Sequence, residues 1–114
     1  MRDAYAQIIL DAREIGPSLF RFKSPLSRVI LLQVAREGGQ CELRTLLKRL
    51  EATSVAARQH IHSLVTEGFL SIETHPSNRR CKVVSLTESS RALLTQYEHR
   101  LHSVVAKWVA VSST

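Results

Sequence analysis

Apolar residues recur at helical spacing in five segments of the chain, and this pattern predicts five helices. The first helix is predicted over residues 4–15, and Gly16-Pro17 is expected to end it. Its apolar positions are Tyr5, Ile8, Ile9, Ala12 and Ile15. Phe20 and Phe22 lie in the linker that follows and are available to pack on a core.

Local signals mark the ends of the next three helices. Ser24 and Pro25 are typical of an N-cap and a first helical residue, where the missing proline N–H is no loss. This second helix carries Val29, Ile30, Leu32 and Val34 and is predicted to end at Gly38-Gly39. The third begins near Glu42 and places leucines at positions 43, 46, 47 and 50. After a polar break, the fourth spans residues 54–67 and Gly68 closes it.

A hairpin is predicted between the fourth and the last helix. Its strands are residues 69–74 and 81–86, and its loop, residues 75–80, carries Arg79 and Arg80 at the tip. Thr87 is expected to cap a long last helix that reaches about Val109. We treat residues 1–114 as one domain: an N-terminal helix and linker (1–23), a core (24–87) and a C-terminal helix (88–114).

This order of elements is typical of a winged helix-turn-helix, an α+β fold that is mostly α. In such a fold the second helix of the turn enters the DNA major groove, and the two-stranded hairpin, or wing, reaches the backbone or the minor groove. The charge agrees, because 16 Lys and Arg against 10 Asp and Glu give a net charge of +6, which suits nucleic acid better than a membrane. A basic surface that serves only solubility is the alternative.

The two faces of the fourth helix differ in chemistry. At about 100° per residue, Ala57, Ile61, Leu64, Val65 and Gly68 fall on an inward side. The outward side carries groups used on base edges, with arginine for guanine, glutamine for adenine and a methyl group for thymine. The predicted DNA-binding residues are Thr53, Ser54, Val55, Arg58, Gln59, His62, Ser63, Arg79, Arg80 and Lys82, and Lys48 and Arg49 are expected to add non-specific phosphate contacts. The alternative is an ordinary solvated helix face.

The last helix carries a seam of apolar residues with alternating spacings of three and four. The seam consists of Leu94, Tyr97, Leu101, Val104, Trp108 and Val111. It predicts a homodimerisation helix, since helix-turn-helix proteins usually bind DNA as dimers. Packing on the first helix of the same chain is the alternative reading.

Other chemistry is weakly represented. His60 and His62 lie on opposite sides of a helix, and His99 and His102 have no cysteine near them in sequence, so we expect no metal and no cofactor.

Cys41 is either a redox-sensing thiol at a helix start or a buried inert one. No catalytic motif occurs, so an enzyme is not expected. Isolated cysteines, no leader and no apolar run of ~20 residues lead us to expect a cytoplasmic protein.

Three short motifs follow one another in the second half of the chain. They are Leu64 with Gly68, Phe69 and Leu70; then Asn78-Arg79-Arg80; then Leu86-Thr87-Glu88. With the leucine-rich helix before them, they make residues 42–94 resemble the DNA-binding core of the MarR-type regulators (multiple antibiotic resistance regulators). The resemblance implies a homodimeric, sequence-specific regulator of transcription that binds double-stranded DNA.

The chain departs from that pattern at three points. Asn78 replaces an acid that braces the wing, and Ser90 replaces a glycine. The family normally has one more helix after the long helix that follows the wing, and this chain lacks it. A shortened member without the conventional ligand pocket is therefore expected. Whether a small-molecule effector binds stays open. Two other functions also remain open: a protein–protein adaptor on the same fold, and a DNA-binding protein of plasmid or phage replication control.

Overall fold

The computed structural model describes residues 2–19 and 24–112, and in these ranges the chain forms five helices and three strands. The elements are α1 (Arg2–Leu19), α2 (Pro25–Arg36), β1 (Gln40–Glu42), α3 (Leu43–Arg49), α4 (Ser54–Thr66), β2 (Leu70–His75), β3 (Asn78–Leu86) and α5 (Glu88–Ser112). The contacts divide the chain into two compact units, Lys23–Ala92 and the paired segments Met1–Phe22 and Leu93–Thr114. The predicted winged helix-turn-helix lies in the first unit and is confirmed.

The sheet of the winged-helix unit has three antiparallel strands in the order β1-β3-β2. β2 pairs with β3 from Leu70↔Leu86 to His75↔Asn78, with an irregularity at Thr74 and His75. β1 pairs with the other edge of β3, and Cys41 lies opposite Val84. The sequence predicted a sheet of two strands only, because three residues are too few to show a strand pattern.

The core of this unit forms where α2, α3 and α4 cover the sheet. Its buried apolar residues are Ile30, Leu31, Val34, Leu46, Leu50, Ala57, Ile61, Leu64, Leu70, Val84 and Leu86. α2 packs on both α4 and β3, so the second predicted helix is central to the core. Val29 and Leu32 lie on its exposed face, whereas Leu31, between them in sequence, is buried.

Caps fix the ends of α2 and α4 as the sequence indicates. The Oγ of Ser24 accepts the N–H of Ser27, and Pro25 occupies the first turn of α2. Gly39 has a φ of +98°, a backbone conformation that strains residues with a Cβ, so glycine is favoured there. Gly68 has a φ of +83° and ends α4, although it is exposed and does not belong to the inward face predicted for it.

The first helix is longer than its pattern predicts. α1 continues through Gly16 and Pro17 to Leu19. A proline lacks an N–H and crowds the preceding turn, yet the helix continues past Pro17, so the stop predicted at Gly16-Pro17 is wrong. The side chain of Tyr5 and all of Phe20 and Phe22 lie outside the described residues.

The second unit consists of α1 and most of α5. Ile8 and Ile15 of α1 pack with Val104 of α5 in a buried cluster. Ala12, Tyr97 and Val111 pack against that cluster and are partly buried. Ile9, which the pattern grouped with these residues, is 56% exposed instead. None of the helices in the described ranges combines the length and the hydropathy that a membrane span requires.

Thr87 and Ser90 form a reciprocal capping box at the start of α5. The N–H of Ser90 donates to Oγ1 of Thr87 (3.3 Å), and the N–H of Thr87 donates to Oγ of Ser90 (3.0 Å). The hydroxyl of Thr87 also donates to the carbonyl oxygen of Gly68 at 2.6 Å, which joins the end of α4 to the start of α5. Ser90 is fully buried, so the serine that departs from the family pattern has a structural role.

We expect Ser90→Gly to lower the free energy of unfolding by about 1–2 kcal/mol more than Ser89→Gly. Ser89 is exposed in the same helical turn, so its variant measures the cost of a glycine in that turn without the loss of the capping box. Urea titration monitored by circular dichroism gives both values. Equal losses in the two variants would show that the Ser90 hydroxyl contributes nothing to stability.

Candidate nucleic-acid interface

α4 presents a polar face to solvent because its apolar residues point into the core. Ala57, Ile61 and Leu64 are buried on one side of the helix. The opposite side is exposed and comprises Val55, Arg58, Gln59, His62, Ser63 and Thr66, which we call the recognition face. Val55 is 68% exposed, so its methyl groups are accessible on this face. The predicted division of α4 into two faces is confirmed for all of these side chains.

The start of α4 brings hydrogen-bond donors to the same surface. Thr53 is the N-cap, and its Oγ1 accepts the N–H of Ala56 at 3.2 Å. A hydroxyl that accepts one hydrogen bond can still donate its own hydrogen. Ser54 is exposed beside it, and the first turn of the helix contains no acid, so this end of α4 is suited to an anion.

A cavity of about 620 Å³ opens between α3, the start of α4 and β3. We call it the basic groove, and its lining residues are Glu42, Leu43, Arg44, Leu47, Lys48, Ser54, Arg58, Arg80, Cys81 and Lys82. Five of these ten are Lys or Arg, and Glu42 is the one acid among them. Positive charges gathered around a concave surface with apolar walls focus the potential on whatever enters it.

The structure brings many of the predicted DNA-binding residues to one part of the winged-helix unit. Ser54, Arg58, Arg80 and Lys82 line the basic groove. The remaining α4 residues of the prediction, Val55, Gln59, His62 and Ser63, are exposed on the recognition face, which shares Arg58 with the groove.

The two cations expected to give non-specific contacts have different surroundings. Lys48 lines the groove. Arg49 lies outside it, and its Nε is 2.6 Å from Oε1 of Glu37, the residue that ends α2. The guanidinium of Arg49 is therefore engaged in an ion pair that links α3 to α2.

The sequence predicted Arg79 and Arg80 at the tip of a loop. The structure places both in β3 instead. The hairpin turn consists of Pro76 and Ser77, and β3 begins at Asn78. Pairing resumes beyond an irregularity, because Thr74 pairs with Lys82 and His75 with Asn78, which leaves residues 79–81 without partners on β2. The two arginines lie in the irregular part of the β2–β3 pairing, where regular alternation of side chains does not apply. Arg80 lines the groove, and Arg79 is exposed outside it.

Two side chains brace the end of the wing. Oδ1 of Asn78 accepts the N–H of Arg80 at 3.1 Å, so the amide at the position of the family's acid holds the backbone locally. Nδ1 of His75 accepts the N–H of Ser77 at 3.0 Å across the turn. In both hydrogen bonds the donor and the acceptor are two residues apart in sequence, so the bonds fix the path of the chain into β3.

Arg44 is the cation of the groove that the sequence did not predict as a contact. It lies on α3 four residues before Lys48, so the two share one side of that helix. The helical spacing that predicts the inward leucines of α3 also places Arg44 and Lys48 together on another side of it. The sequence could not show that β3 lies opposite them.

The cysteines differ in their surroundings. Cys41 lies in β1 and not at a helix start, and burial raises the pKa of its thiol, with a further rise from the carboxylate of Glu37 and an opposing effect of Arg49. A raised pKa keeps the thiol protonated at neutral pH, so of the two alternatives the surroundings of Cys41 favour the inert thiol. Cys81 is half-buried in the lining of the groove. Within the described ranges, no three His, Cys, Asp or Glu side chains gather as ligands for a metal ion.

We expect Arg79→Ala and Arg80→Ala to bind DNA differently while both melt at the wild-type temperature, since exposed cations contribute little to stability. Arg80→Ala should lower affinity for every duplex and make the slope of log K against log salt shallower by about one unit. If Arg79 enters a minor groove, its variant should lose most on sites flanked by A-tracts. Fluorescence anisotropy at several salt concentrations measures both effects. A clearly lower melting temperature would identify the arginine as an internal brace and not a DNA contact.

Solved structures of similar fold come from several bacteria. The protein Rv1404 of Mycobacterium tuberculosis superposes with a TM-score of 0.79 at 18% identity, over 95% of this chain and 73% of that one. The transcriptional regulator Tm0710 of Thermotoga maritima gives 0.75 at 17% identity, over 96% and 78%. BpsR of Bordetella bronchiseptica, whose DNA binding is regulated by 6-hydroxynicotinic acid, gives 0.62 at 22% identity, over 98% and 84%.

Comparison of the sequence, without the structure, identifies no relatives. No family model matches the chain, and no curated protein matches it. At these low identities the likeness extends to the fold and not to the side chains. The chain therefore has the winged-helix fold that these bacterial proteins, among them transcriptional regulators, share.

Proposed function

We propose that this chain is a MarR-type transcriptional regulator that binds specific sites on double-stranded DNA as a homodimer. It acts in the cytoplasm and carries out no catalysis. The recognition face of α4 is the observation that carries the proposal. An exposed helix face with this composition, next to a groove with five cations, has the properties needed to read bases and hold phosphates.

The residues of the recognition face suit the chemistry of the major groove. Arg58 can donate two hydrogen bonds to guanine, and Gln59 can both donate to and accept from adenine. Val55 is exposed and can offer methyl groups to thymine. α4 contains no acid between Ser54 and Thr66, so nothing on the helix repels a phosphate.

The similar structures support a role on DNA without defining its details. Tm0710 is a transcriptional regulator, and DNA binding is the regulated activity of BpsR. The motifs shared with MarR-type regulators lie in the same unit as the recognition face and the groove. The fold, the motifs and the surface charge thus favour the same function.

The apolar seam of α5 supports a homodimer because several of its residues, and apolar neighbours beside them, are exposed to solvent. Tyr97, Val104 and Val111 pack against α1. Leu101 and Trp108 are 39% and 44% exposed, and Val105 and Val109 beside them are more exposed still. These four residues follow one another at spacings of four, three and one, so they form a stripe along one side of a helix of 25 residues. A second copy of the chain would cover such a stripe.

A protein–protein adaptor is the alternative function of another class, and a salt titration distinguishes the two. A regulator that neutralises phosphates should show a steep fall of log K with log salt on duplex DNA, whereas an adaptor should not bind duplex DNA in this way. Selection of bound sites from a random duplex library would then give the operator sequence. A replication-control protein would also bind DNA, and the genes that surround the operator would identify it.

We expect Arg58→Ala and Gln59→Ala each to weaken binding to the selected site by ~1–3 kcal/mol and to relax preference at one base position. Both side chains point outward from the N-terminal half of α4. Lys82→Ala is the control, since loss of a phosphate contact should weaken selected and random duplexes equally. Competition binding against a panel of single-base variants measures the preference. An equal loss on both kinds of duplex would exclude base reading by the residue concerned.

We expect Leu101→Glu to convert the dimer into a monomer, because it places a charge in the middle of the exposed stripe. DNA affinity should fall by about 100-fold, since linked half-sites no longer bind together. Gln96→Glu adds the same charge at an exposed position on another side of α5 and should leave the dimer intact. Sedimentation equilibrium with and without duplex reports the oligomeric state. A wild-type protein that is monomeric on DNA would rule out the dimer.

A further inference from the structure

We propose that the hydroxyl of Thr87 is a positioning group. It holds the recognition helix α4 in a fixed position relative to the start of α5, and it thereby sets the spacing of the two DNA half-sites that a dimer accepts. This inference rests on the proposed function, because half-site spacing has a meaning only for a homodimer on DNA. It gives a role in specificity to a residue that lies outside both the recognition face and the basic groove.

The hydrogen of the Thr87 hydroxyl is directed to the end of α4. Oγ1 of Thr87 lies 2.6 Å from the carbonyl oxygen of Gly68, and it accepts the N–H of Ser90 at 3.3 Å. Oγ of Ser90 is 3.4 Å away, but it donates its own hydrogen to the carbonyl oxygen of Thr87 at 3.0 Å. A hydroxyl has a single hydrogen to donate, so Thr87 donates in its short contact with Gly68. The capping box of α5 therefore leaves this hydrogen available to another element.

The acceptor is firmly attached to α4. Gly68 donates its N–H to the carbonyl oxygen of Val65 at 3.1 Å, and Phe69 donates its N–H to that of Leu64 at 2.8 Å. These two bonds form a Schellman motif, which holds the residues after a helix against its last turn. A group that binds the carbonyl of Gly68 is therefore bonded to the end of the recognition helix and not to a separate loop.

The donor is attached to the start of α5. Ser90 is fully buried in the first turn of that helix, and the N–H of Leu86, just before it, donates to the carbonyl oxygen of Gly39 at 2.9 Å. From this turn α5 continues as one helix of 25 residues and carries the exposed apolar stripe of the proposed dimer. The Thr87 bond thus connects the helix that would read DNA with the helix that would join two copies of the chain.

Half-site spacing depends on this connection because DNA is a regular helix. One added base pair moves a half-site by roughly 3.4 Å along the axis and turns it by roughly 35°. A dimer that holds α4 firmly relative to α5 fits one such arrangement, whereas a dimer with a loose connection tolerates several. Without the Thr87 bond, the covalent path from α4 to α5 passes through both strands of the wing.

Thr87→Asp tests the bond. A carboxylate at this position can still accept the N–H of Ser90 and cap α5, but it has no hydrogen to donate to Gly68. Competition anisotropy should compare the selected operator with duplexes that have one base pair inserted or removed between the half-sites. The wild type should bind the altered duplexes roughly tenfold more weakly. Thr87→Asp should reduce that ratio roughly fivefold, the equilibrium factor of one net hydrogen bond. The added charge affects all three duplexes alike, so it cancels in the ratio.

Two control variants separate the bond from a general loss of stability. Thr87→Ser keeps a hydroxyl that can accept and donate, so it should retain the wild-type ratio. Ser90→Ala removes the other half of the capping box and leaves the Thr87 hydroxyl in place. It should lower the midpoint of urea unfolding and still retain the ratio. A purely structural role of Thr87 predicts instead the same ratio for Thr87→Asp and Ser90→Ala.

A second measurement needs no DNA. Ser63 is exposed on α4, and the native thiols Cys41 and Cys81 can be replaced by serine. A nitroxide attached to the Ser63→Cys variant then reports the distance between the two α4 helices of a dimer by double electron–electron resonance. Thr87→Asp should broaden the distribution of that distance, and Thr87→Ser should leave it unchanged.

The outcomes separate this inference from the function on which it rests. A wild-type ratio or an unbroadened distance in Thr87→Asp would overturn the inference, and so would an equal loss of the ratio in Ser90→Ala, while DNA binding by the dimer stood. A wild-type dimer that binds all three spacings equally would overturn it as well. A wild-type protein that binds no duplex, or binds it as a monomer, would instead refute the proposed function and this inference with it.

Discussion

The burial of one side of α4 is the constraint on which the rest of the winged-helix unit depends. Ala57, Ile61 and Leu64 enter a core in which α2 packs on both α4 and the sheet, and this fixes the rotation of α4 about its own axis. A helix turned by about 100° would expose Leu64 and bury a charged side chain, at a cost that a small domain cannot offset. The composition of the recognition face therefore follows from the packing on its opposite side.

The basic groove brings together cations from three elements of the fold, α3, α4 and β3. α3 contributes two cations and β3 two more, and the short strand β1 sets the start of α3 beside the sheet through its pairing with β3. Like charges at such a site repel one another, and in the free protein solvent and counterions screen that repulsion. Binding of a polyanion releases those ions, and this release is the source of affinity that depends on salt and not on sequence.

The sequence predicted well what depends on local signals. Ser24 with Pro25, Gly68 and Thr87 mark helix ends through their own backbone and side-chain chemistry, and the buried side of α4 follows from a helical period. It predicted poorly what depends on distant partners. β1 is three residues long and is stabilised by β3, and the polar start of β3 lacks the alternation that marks a half-buried strand. Lys82 was predicted as a DNA contact from its place in the wing. The cavity that it shares with Arg44 was not predicted, because it depends on the packing of α3 against β3.

The separation between the two sides of α4 has a consequence for how this protein can change over time. The side chains that would choose an operator contribute nothing to the core, so substitutions at Val55, Gln59 or His62 leave the folded state almost as stable as before. Gene duplication followed by drift on this face could yield paralogues with new targets and an unaltered scaffold. The same property makes the helix a suitable position for a randomised library, in which loss of folding would rarely be confused with loss of recognition.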